Sequence, residues 1–318
     1  MGWKSVSQAS QLWLQSDNGR RAVLWSGRLA RIGIFAFLGH ELTQIGWGAV
    51  WRELPTAPTF YWLFLVAYFH QAVFCAWAYR LTWDIAPGPA MAACFKACLY
   101  NNEILGNSGD VYLYLWASRR SQLSKLTIVR AIKDNTVISS TAAYVVALSL
   151  PGVLYFCGQL APGRTFDDRE IAWLVGGLLA GAGLVVAGTL FHSVLFSVSR
   201  RAFAKMALIY FGRVAFIIAL TVGQWAVAIP TVPWHAWLTM VALQRLFNLI
   251  PLLPANDILF IAAGAELAPH LGVQPAAMAS VLLATAAIGK IMNLAMFSGL
   301  AWLEGRGLPG GGRIEQPA

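Results

Sequence analysis

Charge is scarce in this chain. Only 12% of its 318 residues are Asp, Glu, Lys or Arg, about half the share of roughly 25% found in soluble domains. Hydrophobic residues make up 58%. A water-facing surface cannot be built from so few charges, which excludes a soluble or secreted domain. Cysteine is scarce too: Cys75, Cys94, Cys98 and Cys157 are the only four. All lie in apolar surroundings, where a thiol behaves as a small hydrophobic group. No disulfide framework is implied. A metal site would need more ligands nearby, and no HExxH-like spacing occurs. No nucleotide-binding loop is present to support direct ATP drive. The first 20 residues are too polar for a cleaved signal peptide. Trp3, Val6, Leu12 and Trp13 predict at most a short helix on the membrane surface.

What the chain does have is long apolar runs, repeated along its length. A helix crossing the hydrocarbon core needs about 20 mostly apolar residues. The runs are too long for barrel strands and do not alternate polar with apolar, so the expected fold is all-α. The net charge is +9 and the pI near 9.7. The basic residues sit beside the apolar runs, as the positive-inside rule requires, and suit anionic headgroups better than nucleic acid.

Seven spans follow: Leu29–Val50, Tyr61–Leu81, Val137–Leu160 with a kink expected at Pro151, Ile171–Phe196, Ala207–Ile229, Trp234–Ile250 and Pro275–Trp302. Gly177 and Gly181 in the fourth form a small-xxx-small pair that allows close helix approach. Arg20, Arg21, Arg28 and Arg31, the cluster from Arg119 to Lys133, and Arg200, Arg201 and Lys205 mark the cytoplasmic side. The slightly acidic loop Ala161–Glu170 suits the outer side. The expected organisation is an interfacial segment over 1–28 and one transmembrane domain over 29–303. That domain has halves at 29–196 and 203–303, and a flexible Gly-rich tail follows at 304–318. The N-terminus is expected in the cytoplasm of a multi-pass cell membrane, a bacterial inner membrane.

Two stretches break the pattern. Residues 90–116 are interrupted by Asn101, Asn102, Glu103, Gly106, Asn107, Gly109 and Asp110. Residues 251–274 are interrupted by Pro251, Pro254, Asn256, Asp257, Glu266 and His270. Each fits two short half-helices forming a broken, re-entrant hairpin better than a span. They also resemble each other: NNEILGNSGDVYLYL (101–115) against NLIPLLPANDILFIA (248–262). Paired interrupted segments in two halves point to a transporter site. The alternative is a pair of surface loops with helix N-caps at Asp110 and Asp257.

The order of spans, GNSGD (106–110) and PLLPAND (251–257) resemble the flippase-like membrane region of lysylphosphatidylglycerol synthases and its stand-alone relatives. That family often has an Arg three residues after the Gly-Asp, where this chain has Leu113. Its second loop is usually richer in Gly, where this chain has Pro254, Ala255 and Asn256. The soluble aminoacyl-transfer domain of the synthases has no counterpart of soluble composition here. The resemblance implies translocation of a lipid or lipid-linked precursor during envelope assembly, not aminoacylation.

An ionisable residue at bilayer depth costs about 2.5–3.5 kcal/mol on insertion scales, so each is a functional candidate. His40, Glu41 and His70 are candidates for proton coupling, or for glue between helices through Gln71 or Lys290. Asn102, Asn107, Asp110, Arg245, Asn248, Asn256, Asp257, Lys290 and Asn293 are the expected substrate-binding set. In it the two hairpins meet, the aspartates cap half-helices, and Arg245 and Lys290 face a lipid phosphate. No cofactor is expected, and the expected partners are anionic or phosphate-bearing membrane lipids. Two other functions fit the same residues: a membrane-embedded enzyme acting on a headgroup through Glu41 and the histidines, and a non-catalytic assembly factor.

Overall fold

The computed structural model of the chain describes residues 55–103, 107–160, 167–249 and 256–305. Ten α-helices and one 3-10 turn occur among them, with no strand. They are α1 (Pro58–Tyr79), α2 (Pro87–Glu103), α3 (Ser108–Arg120), α4 (Lys125–Phe156), α5 (Asp168–Leu190), α6 (His192–Leu195), α7 (Arg200–Ala228), α8 (Trp234–Phe247), α9 (Asn256–Leu267) and α10 (Pro275–Gly305). The 3-10 turn Ala268–Leu271 follows α9. Five helices, α1, α4, α5, α7 and α10, are long and apolar enough to cross a membrane.

Local signals in the sequence explain the helix starts. Pro58 opens α1, where a missing N–H costs nothing. Ser124 and Ser199 cap α4 and α7 by accepting from Thr127 N and Ala202 N. Asp167 and Glu170 form a capping box at α5. The basic residues Lys125, Arg130 and Lys133 belong to the first turns of α4. Pro151 lies inside α4, which continues to Phe156. The expected fourth span is shorter than its apolar run, because the chain breaks at Phe191 before α6.

The buried clusters fix which ends lie together. Ala78 near the end of α1 packs with Ile138 of α4 and with Met206 and Tyr210 near the start of α7. Phe60 at the start of α1 packs with Trp225 near the end of α7. Helices α1 and α7 therefore run antiparallel along each other. Arg119, Arg120, Lys125, Arg200 and Arg201 gather at the first of these ends, called here the basic end. Asp168, Glu170 and Glu266 lie toward the other.

Helix α2 enters from the basic end. Its first half (Ala90, Ala93, Cys94) packs on Ala76 and Tyr79 of α1, and α3 returns to the same end through Leu113 and Ala117. The two arms lie very close: a Cβ added to Gly109 would stand 2.1 Å from the Ala97 carbonyl oxygen. The expected first hairpin is thus a helix–turn–helix pair.

The second half differs from expectation. The sixth expected span is only the 14 residues of α8, about 21 Å at 1.5 Å per residue and short of a crossing. Its far end carries Gln244, Arg245 and Asn248, which lipid would penalise. Instead α8 starts at the end opposite the basic one. Its Trp237 and Met240 share a core with Phe260 of α9 and Met278 of α10. Helix α8 is therefore the first arm of a second short pair with α9. A long helix, two short helices and a long helix occur as α1–α4 and again as α7–α10, running in opposite directions. The contacts correspond as well: α4 packs on α8, and α10 on α2.

Helix α5 lies outside this arrangement, on α4. Gly177 sits where a Cβ would be 2.4 Å from the Leu148 carbonyl oxygen, so the small-xxx-small pair does mediate close approach. The outer face of α5 bears exposed Trp173, Leu179 and Leu190, as a lipid-facing helix should. The expected span Leu29–Val50, with His40 and Glu41, lies outside the described residues.

Candidate functional site

The tip-proximal ends of both short pairs come together. Asn102 near the end of α2 lines the same cavity as Gln244, Arg245 and Asn248 at the end of α8. The cavity measures about 330 Å³ and is completed by α1, α7 and α10. Helix α1 contributes His70 and Gln71, and α10 contributes Thr285 and Asn293. A second cavity, of about 230 Å³, lies toward the basic end. It is lined by Asn107, Asp110, Asn135, Thr136 and Arg213, among others. Gln71 and Cys98 line both cavities, so the two adjoin at mid-depth.

Hydrogen bonds lock the walls. The Tyr68 hydroxyl donates to Asn293 Oδ1 at 2.8 Å, joining α1 to α10. The Trp225 indole N–H donates to Thr285 Oγ1 at 3.2 Å, joining α7 to α10. In the second cavity the Tyr210 hydroxyl donates to Asn135 Oδ1 at 2.5 Å, and Arg213 lies over the Tyr210 ring at 5.1 Å. The His70 ring nitrogen Nδ1 contacts the Ala67 carbonyl of its own helix.

Two polar atoms at the first cavity are left over. Arg245 Nε and Gln224 Nε2 are buried and make no hydrogen bond among the described residues. Gln224 is only 2% exposed. A buried polar atom without a partner costs about 1–3 kcal/mol, more for a charged group. Groups in that state beside a cavity are poised to meet a ligand or water.

The expected binding set divides. Asn102, Arg245, Asn248 and Asn293 share the first cavity with His70. Asn107 and Asp110 line the second. Lys290 and Asp257 line neither and stand 4.0 Å apart as an ion pair, so Lys290 does not join Arg245 in the cavity. Asn256 opens α9.

One of the two aspartates does not cap as expected. Asp110 is the third residue of α3 and accepts from the Thr136 hydroxyl of α4 at 2.8 Å. The start of α3 is held from α2 instead: Asn101 Oδ1 accepts from Gly109 N at 2.6 Å, and Ser108 Oγ donates to the Tyr100 carbonyl. Asn107 precedes α3 in the left-handed region, at φ 68°, which Asn tolerates better than most residues. Asp257 is half exposed in the first turn of α9 beside Lys290.

Sequence reasoning passed over Gln224, an isolated amide in the apolar run of α7, and Lys96, buried in α2 at 5% exposure. The cost of polar groups at bilayer depth, applied to every residue of each run, would have singled out both. Among the described residues no group of three or more His, Cys, Asp and Glu side chains converges as a metal site would require. No known protein-family model, curated protein or solved structure matches the chain.

Proposed function

We propose that the protein translocates a phosphate-bearing lipid or lipid-linked precursor across a bacterial inner membrane during envelope assembly. The observation that carries this reading is the meeting of two short-helix pairs, entering from opposite ends, around a polar cavity with an unpartnered Arg245 nitrogen. In lipid, broken helices are tolerated only where their free backbone groups face protein, water or ligand. Transporters with inverted halves bind substrate at such breaks. Arg fits the role because its guanidinium matches phosphate oxygens.

In this reading α2–α3 and α8–α9 are re-entrant hairpins. The basic end faces the cytoplasm, and the two adjoining cavities are stations on one path. Gln71 and Cys98, common to both, mark the step between them. The resemblance of GNSGD (106–110) and PLLPAND (251–257) to the flippase-like region of lysylphosphatidylglycerol synthases points the same way.

The test is a flipping assay in proteoliposomes carrying a fluorescent phospholipid and an impermeant quencher. The expected result is quenching of inner-leaflet lipid by the wild-type protein and its loss in Arg245→Gln. Equal, slow quenching in wild-type and empty vesicles for every phospholipid tried would overturn the proposal.

A further inference from the structure

We infer that the cavity lined by Asn102, Gln244, Arg245 and Asn248 selects a phosphodiester whose headgroup is uncharged and rich in hydroxyls, a polyol or glycosyl group, and disfavours headgroups bearing an ammonium. This rests on the phosphate-lipid reading above and narrows its substrate class.

The lining carries the argument. Six carboxamides face this one cavity: Gln71, Asn102, Gln224, Gln244, Asn248 and Asn293. They come from α1, α2, α7, α8 and α10, so the polarity is not the fringe of one amphipathic helix. A carboxamide offers two N–H donors and a carbonyl acceptor. A hydroxyl both donates and accepts, so each sugar or polyol hydroxyl can pair with either end of an amide. Thr221 and Thr285 add hydroxyls of the same dual character.

The charge balance narrows the class further. Arg245 is the one Lys or Arg among the described lining residues, and none of them is Asp or Glu. One guanidinium matches the single charge of a phosphodiester. The double charge of a phosphate monoester would want a second cation in the same cavity; Lys290 is held on Asp257 at 4.0 Å, and Arg213 lines the adjoining cavity instead. An ammonium headgroup has donors only and must shed its hydration on entry. It would need a carboxylate to offset that cost, and among the described residues two acids of the hairpins are engaged elsewhere. Asp257 pairs with Lys290, and Asp110 accepts from Thr136 in the second cavity. The volume, about 330 Å³, lies at the lower end of ligand pockets, roughly 300–1,000 Å³. It suits a headgroup whose acyl chains stay in lipid.

The experiment is a lipid-binding titration by native mass spectrometry on the full chain in detergent. The probes are short-chain phosphatidylinositol, phosphatidylglycerol, phosphatidic acid and phosphatidylethanolamine. The two polyol lipids should bind about tenfold or more tighter than phosphatidic acid and phosphatidylethanolamine, because Asn102, Gln224 and Gln244 then face no hydroxyl. Asn102→Leu and, separately, Gln244→Leu should lower the ratio of polyol-lipid affinity to phosphatidic acid affinity toward one. Arg245→Gln should weaken all the anionic lipids alike.

If wild-type protein binds phosphatidic acid or phosphatidylethanolamine as tightly as phosphatidylinositol, the headgroup inference fails. A continued dependence on Arg245 would still leave the phosphate reading standing. If Arg245→Gln alters no affinity, the phosphate reading itself falls, and the headgroup inference with it.

Discussion

Gly109 of α3 faces the carbonyl oxygen of Ala97 in α2 so closely that an added Cβ would lie 2.1 Å from it. The partner is backbone, which cannot rotate away as a side chain could. The packing of the first pair therefore depends on this glycine, and the end of α2 carries Asn102 into the cavity. We expect Gly109→Leu to part the two arms. Overpacking of this kind costs about 1–3 kcal/mol or more. Gly212→Ala is the control, since nothing lies within 4 Å of a Cβ there. The readouts are thermal stability in detergent and lipid flipping. The Gly109 variant should lose both, and the Gly212 variant neither. A fully stable Gly109→Leu would mean that the arms are not in contact.

The second hairpin makes a sharper topological prediction. If α8 and α9 form a pair that turns back, His235 near the start of α8 and His270 after α9 lie on the same side. If α8 crossed the membrane, they would lie on opposite sides. Single cysteines at these positions, with the four native cysteines replaced, should both react with an impermeant maleimide from the periplasm, as should one at Asp168. A cysteine at Arg119 should react only after the cells are opened. Labelling of His235→Cys and His270→Cys from opposite faces would contradict the re-entrant arrangement.

Asp134 is fully buried in α4 and accepts from Ser197 N and Val198 N at 2.7 and 3.0 Å. Lys133 Nζ lies 2.8 Å from its other oxygen. The carboxylate thus fastens the chain just before α7 to the basic end of α4. Hydrogen bonds to charged groups are worth about 1.5–3 kcal/mol each. The lysine is half exposed and adds little. Asp134→Ala should lower stability by roughly 2–4 kcal/mol, and Asp134→Asn, which keeps an oxygen facing the two N–H groups, by distinctly less. Denaturation midpoints of the two variants would check the order. Equal losses would mean that the charge, not the acceptor, matters.

Helical class, five of the seven expected spans, the basic clusters and the two interruptions were legible in the sequence. They depend on one-dimensional quantities: run length, the cost of a charge in lipid, and the helix breakers Gly, Asn and Pro. The segments 101–115 and 248–262 also held Asn102 and Asn248, which line one cavity. Other features could not be read along the chain. An apolar run ending in Gln244, Arg245 and Asn248 scores as a span or as a hairpin arm until the direction of α9 is known. Asp110 looks like a helix cap until Thr136 of α4 arrives 2.8 Å away. Lys290 and Arg245 look like equal partners for a phosphate until α9 brings Asp257 within 4.0 Å of one of them. Composition and spacing decided that this is a membrane bundle with two broken places. Tertiary packing alone decided which polar groups satisfy one another and which are left facing a cavity, because that depends on contacts between helices far apart in the chain.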